Sequence, residues 1–241
     1  MDHLRHILFI DIETVPAVPV FSELTPGLQE HWKKKARLLK NNNDENTGPE
    51  QVFEERAGVF SEFAKVVCIG IGCLVEREGT WKLLLKSLSH TDEKVLLNNF
   101  CEALTRFTSH FPDLRFCGHN IREFDIPFLC RRMVINGMNL PACMQWQGRK
   151  PWEVNLIDTL ELWKFGDHKN FTSLALLAEV LGIPSPKDDM DGSMVGPVFW
   201  KEGDLSRISR YCLQDVGTTA RVYLRLSGNH HIVPEVQFVT D

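Results

Sequence analysis

The run Ile10-Asp11-Ile12-Glu13-Thr14 sets two carboxylates two residues apart in an apolar, β-forming stretch that begins at Leu8 and meets Pro16. On a strand, alternate side chains share a face, so Asp11 and Glu13 project together. Two like charges held that close at a strand end are unfavourable unless a cation stands between them, and hard divalent cations prefer carboxylate oxygen. Two solvated acids at the end of a surface strand are the competing reading, and the pair alone does not decide. A third acid, Asp125, closes Gly118-His119-Asn120-Ile121-Arg122-Glu123-Phe124-Asp125, where glycine and asparagine make a turn and the aspartate falls in the first turn of a helix. The helix dipole stabilises an acid there with or without a ligand. A fourth, Asp215, follows Tyr211 at a four-residue spacing that puts both on one helix face. That pairing also suits a half-buried tyrosine whose hydroxyl is satisfied by the acid.

Positioning these residues requires alternating strands and helices. Apolar β-forming runs predict strands at Ile7–Ile10, Val66–Val75, Trp81–Leu88, Leu114–Cys117 and Val154–Ile157, with a hairpin turn at Glu76-Arg77-Glu78-Gly79-Thr80. Helical periodicity covers Leu28–Leu39, Asp92–His110, Phe124–Asn136, the segment through Leu160 and Trp163, Leu174–Leu181 and Leu205–Leu226. The alternation makes this an α/β chain. Residues 17 to about 63 break it and read as a helical insertion with a polar, turn-prone loop from Asn41 to Pro49, inside a single domain spanning 1–241.

Composition narrows the classes. The chain has 241 residues with six tryptophans and fifteen phenylalanines, enough for one substantial core. No apolar run approaches the roughly 18 residues that span a bilayer, and no secretory signal precedes the first strand. Seven scattered cysteines, none in CxxC spacing, predict reduced thiols in a cytoplasmic protein and no structural zinc site. The formal charge of −5 argues against a long duplex-binding surface but not against an enzyme that engages a short nucleic-acid end. No GxGxxG follows the first strand, which removes a dinucleotide-binding reading. The segment Pro184–Gly192 has a superficial likeness to a calcium loop, but Lys187 and Val198 occupy its first and last ligand positions.

Taken together, Asp11-Ile12-Glu13-Thr14, Asn120-xxx-Phe124-Asp125 and Tyr211-xxx-Asp215 resemble the three exonuclease motifs of the DEDD superfamily, in its tyrosine-bearing DEDDy branch. The first motif is similar to that of the proofreading exonuclease of family B DNA polymerases. The segments Ile157–Gly166 and Ile183–Ser193 resemble a family of bacterial standalone proteins described as predicted 3′–5′ exonucleases related to that polymerase domain. The resemblance implies a ribonuclease-H-like (DnaQ-like) fold, a mixed five-stranded sheet flanked by helices.

It also implies a site. Asp11 would bridge two divalent cations, Mg²⁺ or Mn²⁺, which together serve both ends of an in-line phosphodiester displacement. Glu13 and Asp215 would complete the first cation's protein ligands, Asp125 would hold the second, and Tyr211 would orient the attacking water. Asn120 and Phe124 are expected to contact the terminal nucleotides, although core packing competes for Phe124. Thr14 is expected near the terminal 3′ group. Lys187 would face phosphate from a loop near the cleft exit, unless that loop is simply a turn between helices. The implied partner is the 3′ end of single-stranded nucleic acid, DNA ahead of RNA, with no membrane. A ribonuclease of the same architecture and a non-catalytic binding module are the alternatives.

Overall fold

A computed structural model describes residues 2–39, 47–167, 171–184 and 190–239. Its centre is a mixed six-stranded sheet in the order β5-β4-β1-β2-β3-β6, formed by Ile7–Pro16 (β1), Ala64–Arg77 (β2), Thr80–Ser89 (β3), Arg115–Gly118 (β4), Leu156–Asp158 (β5) and Glu235–Phe238 (β6). The β1–β2 and β2–β3 pairs are antiparallel; β1–β4, β4–β5 and β3–β6 are parallel. The expected five strands are present, and the sixth, β6, is an addition on the β3 edge. Its four residues are all exposed, so no alternation of buried and polar positions announces it.

The period of two along β1 decides which helix sees which residue. Leu8, Ile10 and Ile12 face one side, where they pack with Leu96, Phe100 and Leu104 of α3 (Glu93–His110) and Ile126 and Leu129 of α4 (Asp125–Ile135). Ile7 and Phe9 face the other, against Leu213, Val216, Ala220 and Tyr223 of a long helix at Leu205–Leu226. Asp11 and Glu13 continue that second row, so the alternation that builds the core also aims both acids at this helix.

Between β1 and β2 lie α1 (Pro26–Leu39) and α2 (Pro49–Arg56). Trp32 is fully buried there against Phe53 and Phe63, and its indole N–H donates to the Pro49 carbonyl at 2.8 Å. The insertion therefore has its own aromatic core, and α2 is a helix the sequence pattern did not indicate. Most of the polar loop expected after α1 lies outside the described residues. Further along come α5 (Thr159–Lys164), α6 (Leu174–Val180), a single turn α7 (Val195–Pro197) and the long helix, α8. No helix among the described residues is long and apolar enough to cross a membrane.

The seat of α8 depends on a missing side chain. A Cβ at Gly70 would stand 2.8 Å from both Cys212 Sγ and Val216 Cγ2 and 3.3 Å from the Cys212 carbonyl oxygen. Gly70→Ala must therefore lift α8 from the sheet. It is expected to cost about 1–3 kcal/mol by overpacking, read as a fall of several degrees in Tm. Hydrolytic activity is expected to fall with it, because Tyr211 and Asp215 ride on the same helix; an alanine variant with unchanged Tm would contradict this account.

Candidate active site

β4 pairs with β1 only from Ile7 to Phe9. Beyond Phe9 that flank of β1 has no strand neighbour, while the β2 side stays paired through Pro16. Asp11 and Glu13 are thus in the middle of a strand and not at its end, as the proline had suggested. What opens the site is the early departure of β4. The register slips between Glu13 and Thr14, a bulge of the kind found beside functional sites.

The chain leaves β4 through Gly118, where a Cβ would meet Ile121 Cβ at 2.7 Å and the Ile10 carbonyl oxygen at 3.1 Å. Asn120 follows with φ 65°, a left-handed conformation that asparagine tolerates better than most residues. Its carbonyl accepts from the amides of Glu123 and Phe124, closing the turn into α4. Asp125 is the first residue of α4, only 3% exposed, and its own amide and that of Ile12, between Asp11 and Glu13, favour the charged form of its carboxylate. From the other face, α8 brings Tyr211, which is hydrogen-bonded to Asp215. Asp11 lies within electrostatic reach of both Asp125 and Asp215. The four acids and the tyrosine expected from the sequence are therefore gathered in one place.

Their ionisation is strongly opposed. Burial and then repulsion from Asp125 and Asp215 raise Asp11 well above the carboxylate range. Burial and then Asp11 and Asp215 raise Glu13. Burial pushes Asp125 up to about 7, with Asp158 adding to the shift and two backbone amides resisting it. The Tyr211 hydroxyl is also raised, by burial first and the neighbouring carboxylates second. Glu13 is 6% exposed and no protein cation acts on it among the described residues: the groups that act on its charge are acids and the Cys68 thiol. A divalent cation relieves this arrangement, and carboxylate oxygens are the donor set that magnesium and manganese accept.

The remaining expectations fare differently. The Thr14 hydroxyl donates to the Gly58 carbonyl at 2.7 Å, tying β1 to the insertion. Phe124 is half-buried against the core, its ring 5.4 Å from Phe128, so packing accounts for it. Asn120 has a backbone reason for its identity. Lys187 lies outside the described residues.

Two residues were missed. Asp158, left out of the acid set, is 4% exposed and accepts from the amides of Asn120 (2.9 Å), Arg122 (3.1 Å) and Leu160 (3.0 Å). It caps α5 and holds the turn that delivers Asp125; an aspartate directly before Thr159-Leu160-Glu161 at a strand end is the helix-start signal that could have found it. Cys212, adjacent to Tyr211, lies with its Sγ 3.5 Å from Asp11 Oδ2, and nothing in its sequence neighbourhood marks it.

The chain is similar in structure to the family B DNA polymerase from the hyperthermophilic archaeon Pyrobaculum calidifontis, with a TM-score of 0.54 at 17% identity over 92% of this chain and 24% of that one. At that identity the likeness shows the fold, and the chain spans only about a quarter of the polymerase. No curated protein matches the sequence. A family model matches residues 60–239, a span that holds Asp125, Tyr211 and Asp215 and leaves Asp11 and Glu13 ahead of it. By that match over most of its length, the chain belongs to the family described as predicted 3′–5′ exonucleases related to the exonuclease domain of PolB, hydrolases of phosphodiester bonds.

Proposed function

We propose that this chain is a DEDDy-type enzyme that removes nucleotides stepwise from the 3′ end of single-stranded DNA, with two Mg²⁺ or Mn²⁺ ions held among Asp11, Glu13, Asp125 and Asp215. The observation that carries the reading is the meeting of acids from three distant segments around Asp11. The relation of the family to a DNA polymerase's exonuclease domain supports DNA over RNA. We read 1–241 as one domain with α1 and α2 as an insertion. A reducing cytoplasmic setting suits its free thiols.

When bound, the cations neutralise the scissile phosphate and activate the attacking water. The chain's part is placement. Asp11 and Glu13 are fixed by the β1–β2 register, Asp125 by the Ile12 amide and the Asp158-braced turn, and Asp215 by α8. Tyr211 remains protonated at neutral pH, so it is not a general base. Its hydroxyl donates to Asp215, leaving its oxygen lone pairs to accept from the water and aim it at phosphorus.

Carboxyls whose folded pKa is raised contribute stability that is complete below their unfolded values, about 4, and is lost as pH climbs through the folded ones. Metal-free protein is therefore expected to lose Tm between about pH 4 and pH 7. The cations bind the ionised form, so the stabilisation on adding Mg²⁺ or Mn²⁺ should grow across the same window, reaching about 2.7 kcal/mol at a hundredfold excess over Kd and read as a rise in Tm. Thermal melts with chelator and with metal, at several pH values, check both slopes; a metal gain that shrinks as pH rises would refute the assignment.

The direct test incubates 5′-labelled single-stranded DNA and RNA with the protein and Mg²⁺ or Mn²⁺, beside Asp215→Ala. A ladder shortening from the 3′ end, faster on DNA and absent in the variant, is expected. Equal or faster shortening of RNA would reassign the substrate, and no metal-dependent shortening of either would end the proposal.

A further inference from the structure

We propose that Asp11, Glu13 and the Cys212 thiol form a mixed oxygen–sulfur site for a thiophilic divalent cation, zinc or cadmium, which competes with the hard cations and stops hydrolysis. The inference rests on reading Asp11 and Glu13 as cation ligands, but not on turnover.

Donor atoms of the three side chains all lie within 4.8 Å of one another. Cys212 Sγ stands 3.5 Å from Asp11 Oδ2. A tetrahedral zinc with bonds of about 2.3 Å to sulfur and about 2.1 Å to oxygen needs a sulfur–oxygen edge of about 3.6 Å, so the thiol already stands at ligand spacing from the carboxylate. Glu13 supplies an independent reason. It is a buried carboxylate at 6% exposure, and the groups that act on its charge, Asp11, Asp215, Cys68 and Asp125, include no protein cation among the described residues. The sulfur cannot easily retreat, because it packs on the bare backbone of Gly70, where even a Cβ would come within 2.8 Å. Entry is from the Asp11 side, the least buried member of the three.

The donor set then selects the ion. Magnesium ignores sulfur, so in its presence Cys212 keeps its proton and donates to Asp11 Oδ2. Zinc and cadmium accept thiolate; as the metal–sulfur bond forms, the S–H bond breaks and the proton passes to solvent. No electron changes hands. A cation held by sulfur occupies Asp11 and Glu13 and denies them to the catalytic ions. Cys68 also neighbours Cys212, but its own Sγ points at Ser209 Oγ, 3.8 Å away, so it is not assigned as a ligand.

The test titrates metal-free full-length protein with Cd²⁺ and reads the ultraviolet sulfur-to-metal charge-transfer band. One band saturating at one equivalent is expected in the wild type and in Cys68→Ser, and none in Cys212→Ser. Because the serine variant could fail to fold, the ¹¹³Cd resonance of the wild type serves as a second readout, falling in the range for mixed sulfur–oxygen ligation. In Mg²⁺-supported hydrolysis, the Zn²⁺ concentration that halves each protein's own rate should rise tenfold or more in Cys212→Ser. A band that survives Cys212→Ser, or an all-oxygen ¹¹³Cd resonance in the wild type, overturns the proposal. A protein that shows the band and digests no nucleic acid would overturn the nuclease reading and leave this site standing.

Discussion

Asp11→Asn is expected to lower hydrolysis at least about a thousandfold, close to 4 kcal/mol of transition-state stabilisation, while raising the Tm of the metal-free protein. The two effects have one origin. Asp11 is held where burial and the Asp125 and Asp215 carboxylates all oppose its charge. Asparagine keeps the shape and an oxygen that can accept from Cys212, but removes the charge that repels those neighbours. Relief of such a functional conflict is commonly worth about 0.5–2 kcal/mol, which is several degrees for a chain of this size. The same change removes an acid that stands between β1 and the acids of the two helices, and with it a charge that cations need.

The signature is therefore paired. In chelator, the variant should melt above the wild type; in Mg²⁺ or Mn²⁺ the order should reverse, because only the wild type gains from the ion. Rates come from single-turnover digestion of labelled DNA, and Tm from melts in parallel. Activity within tenfold of wild type would remove Asp11 from the mechanism. A variant that is inactive and also less stable in chelator would mean the acid is structural.

How much of this could be read beforehand depends on the range of the interaction. Asp11 and Glu13 were legible because a period of two is a local property, and Tyr211 and Asp215 because four residues return to one helix face. Asp125 at a helix start is equally local. Their meeting was legible only through resemblance, since nothing within a few residues of Asp125 says that its carboxylate reaches the Ile12 amide. The same holds for Thr14, whose hydroxyl partner Gly58 is 44 residues away, and for Cys212, which meets Asp11 across 201. Those contacts exist because β4 stops pairing at Phe9 and because Gly70 lets α8 down onto the sheet. Glycine in a strand normally signals a weakness or a bulge, and only the packed helix reveals its purpose. β6 escaped because an exposed edge strand has no buried face to imprint a pattern.

A long-range contact of a different kind should govern stability. Arg132→Met is expected to destabilise the protein by about 3–5 kcal/mol, the usual cost of stranding one member of a buried ion pair. Arg132 and Glu93 are 9% and 7% exposed. The guanidinium donates to Glu93 through Nε at 2.9 Å and Nη2 at 2.6 Å, and through Nη1 to the Ser61 carbonyl at 2.7 Å. The same carboxylate accepts from the Val66 amide and the Asn136 side chain, each at 2.8 Å. One ion pair thus fastens α4, which begins with Asp125, to the start of α3 and to β2. Methionine fills the space but leaves the Glu93 charge buried with only two neutral donors. Adding Glu93→Gln removes that charge while keeping an acceptor for Val66, so the double variant should be more stable than Arg132→Met alone. The coupling between the two positions should be about 0.5–3 kcal/mol in a double-mutant cycle. Urea melts give these values. Strictly additive losses would show that the pair is incidental to the fold. Well below its lowered Tm, Arg132→Met should retain most of its hydrolytic rate, because the pair lies two turns along α4 from Asp125, on which the Ile12 amide and the Asp158-braced turn act directly. That outcome would separate the clamp that steadies the helix from the strand register that places the acids.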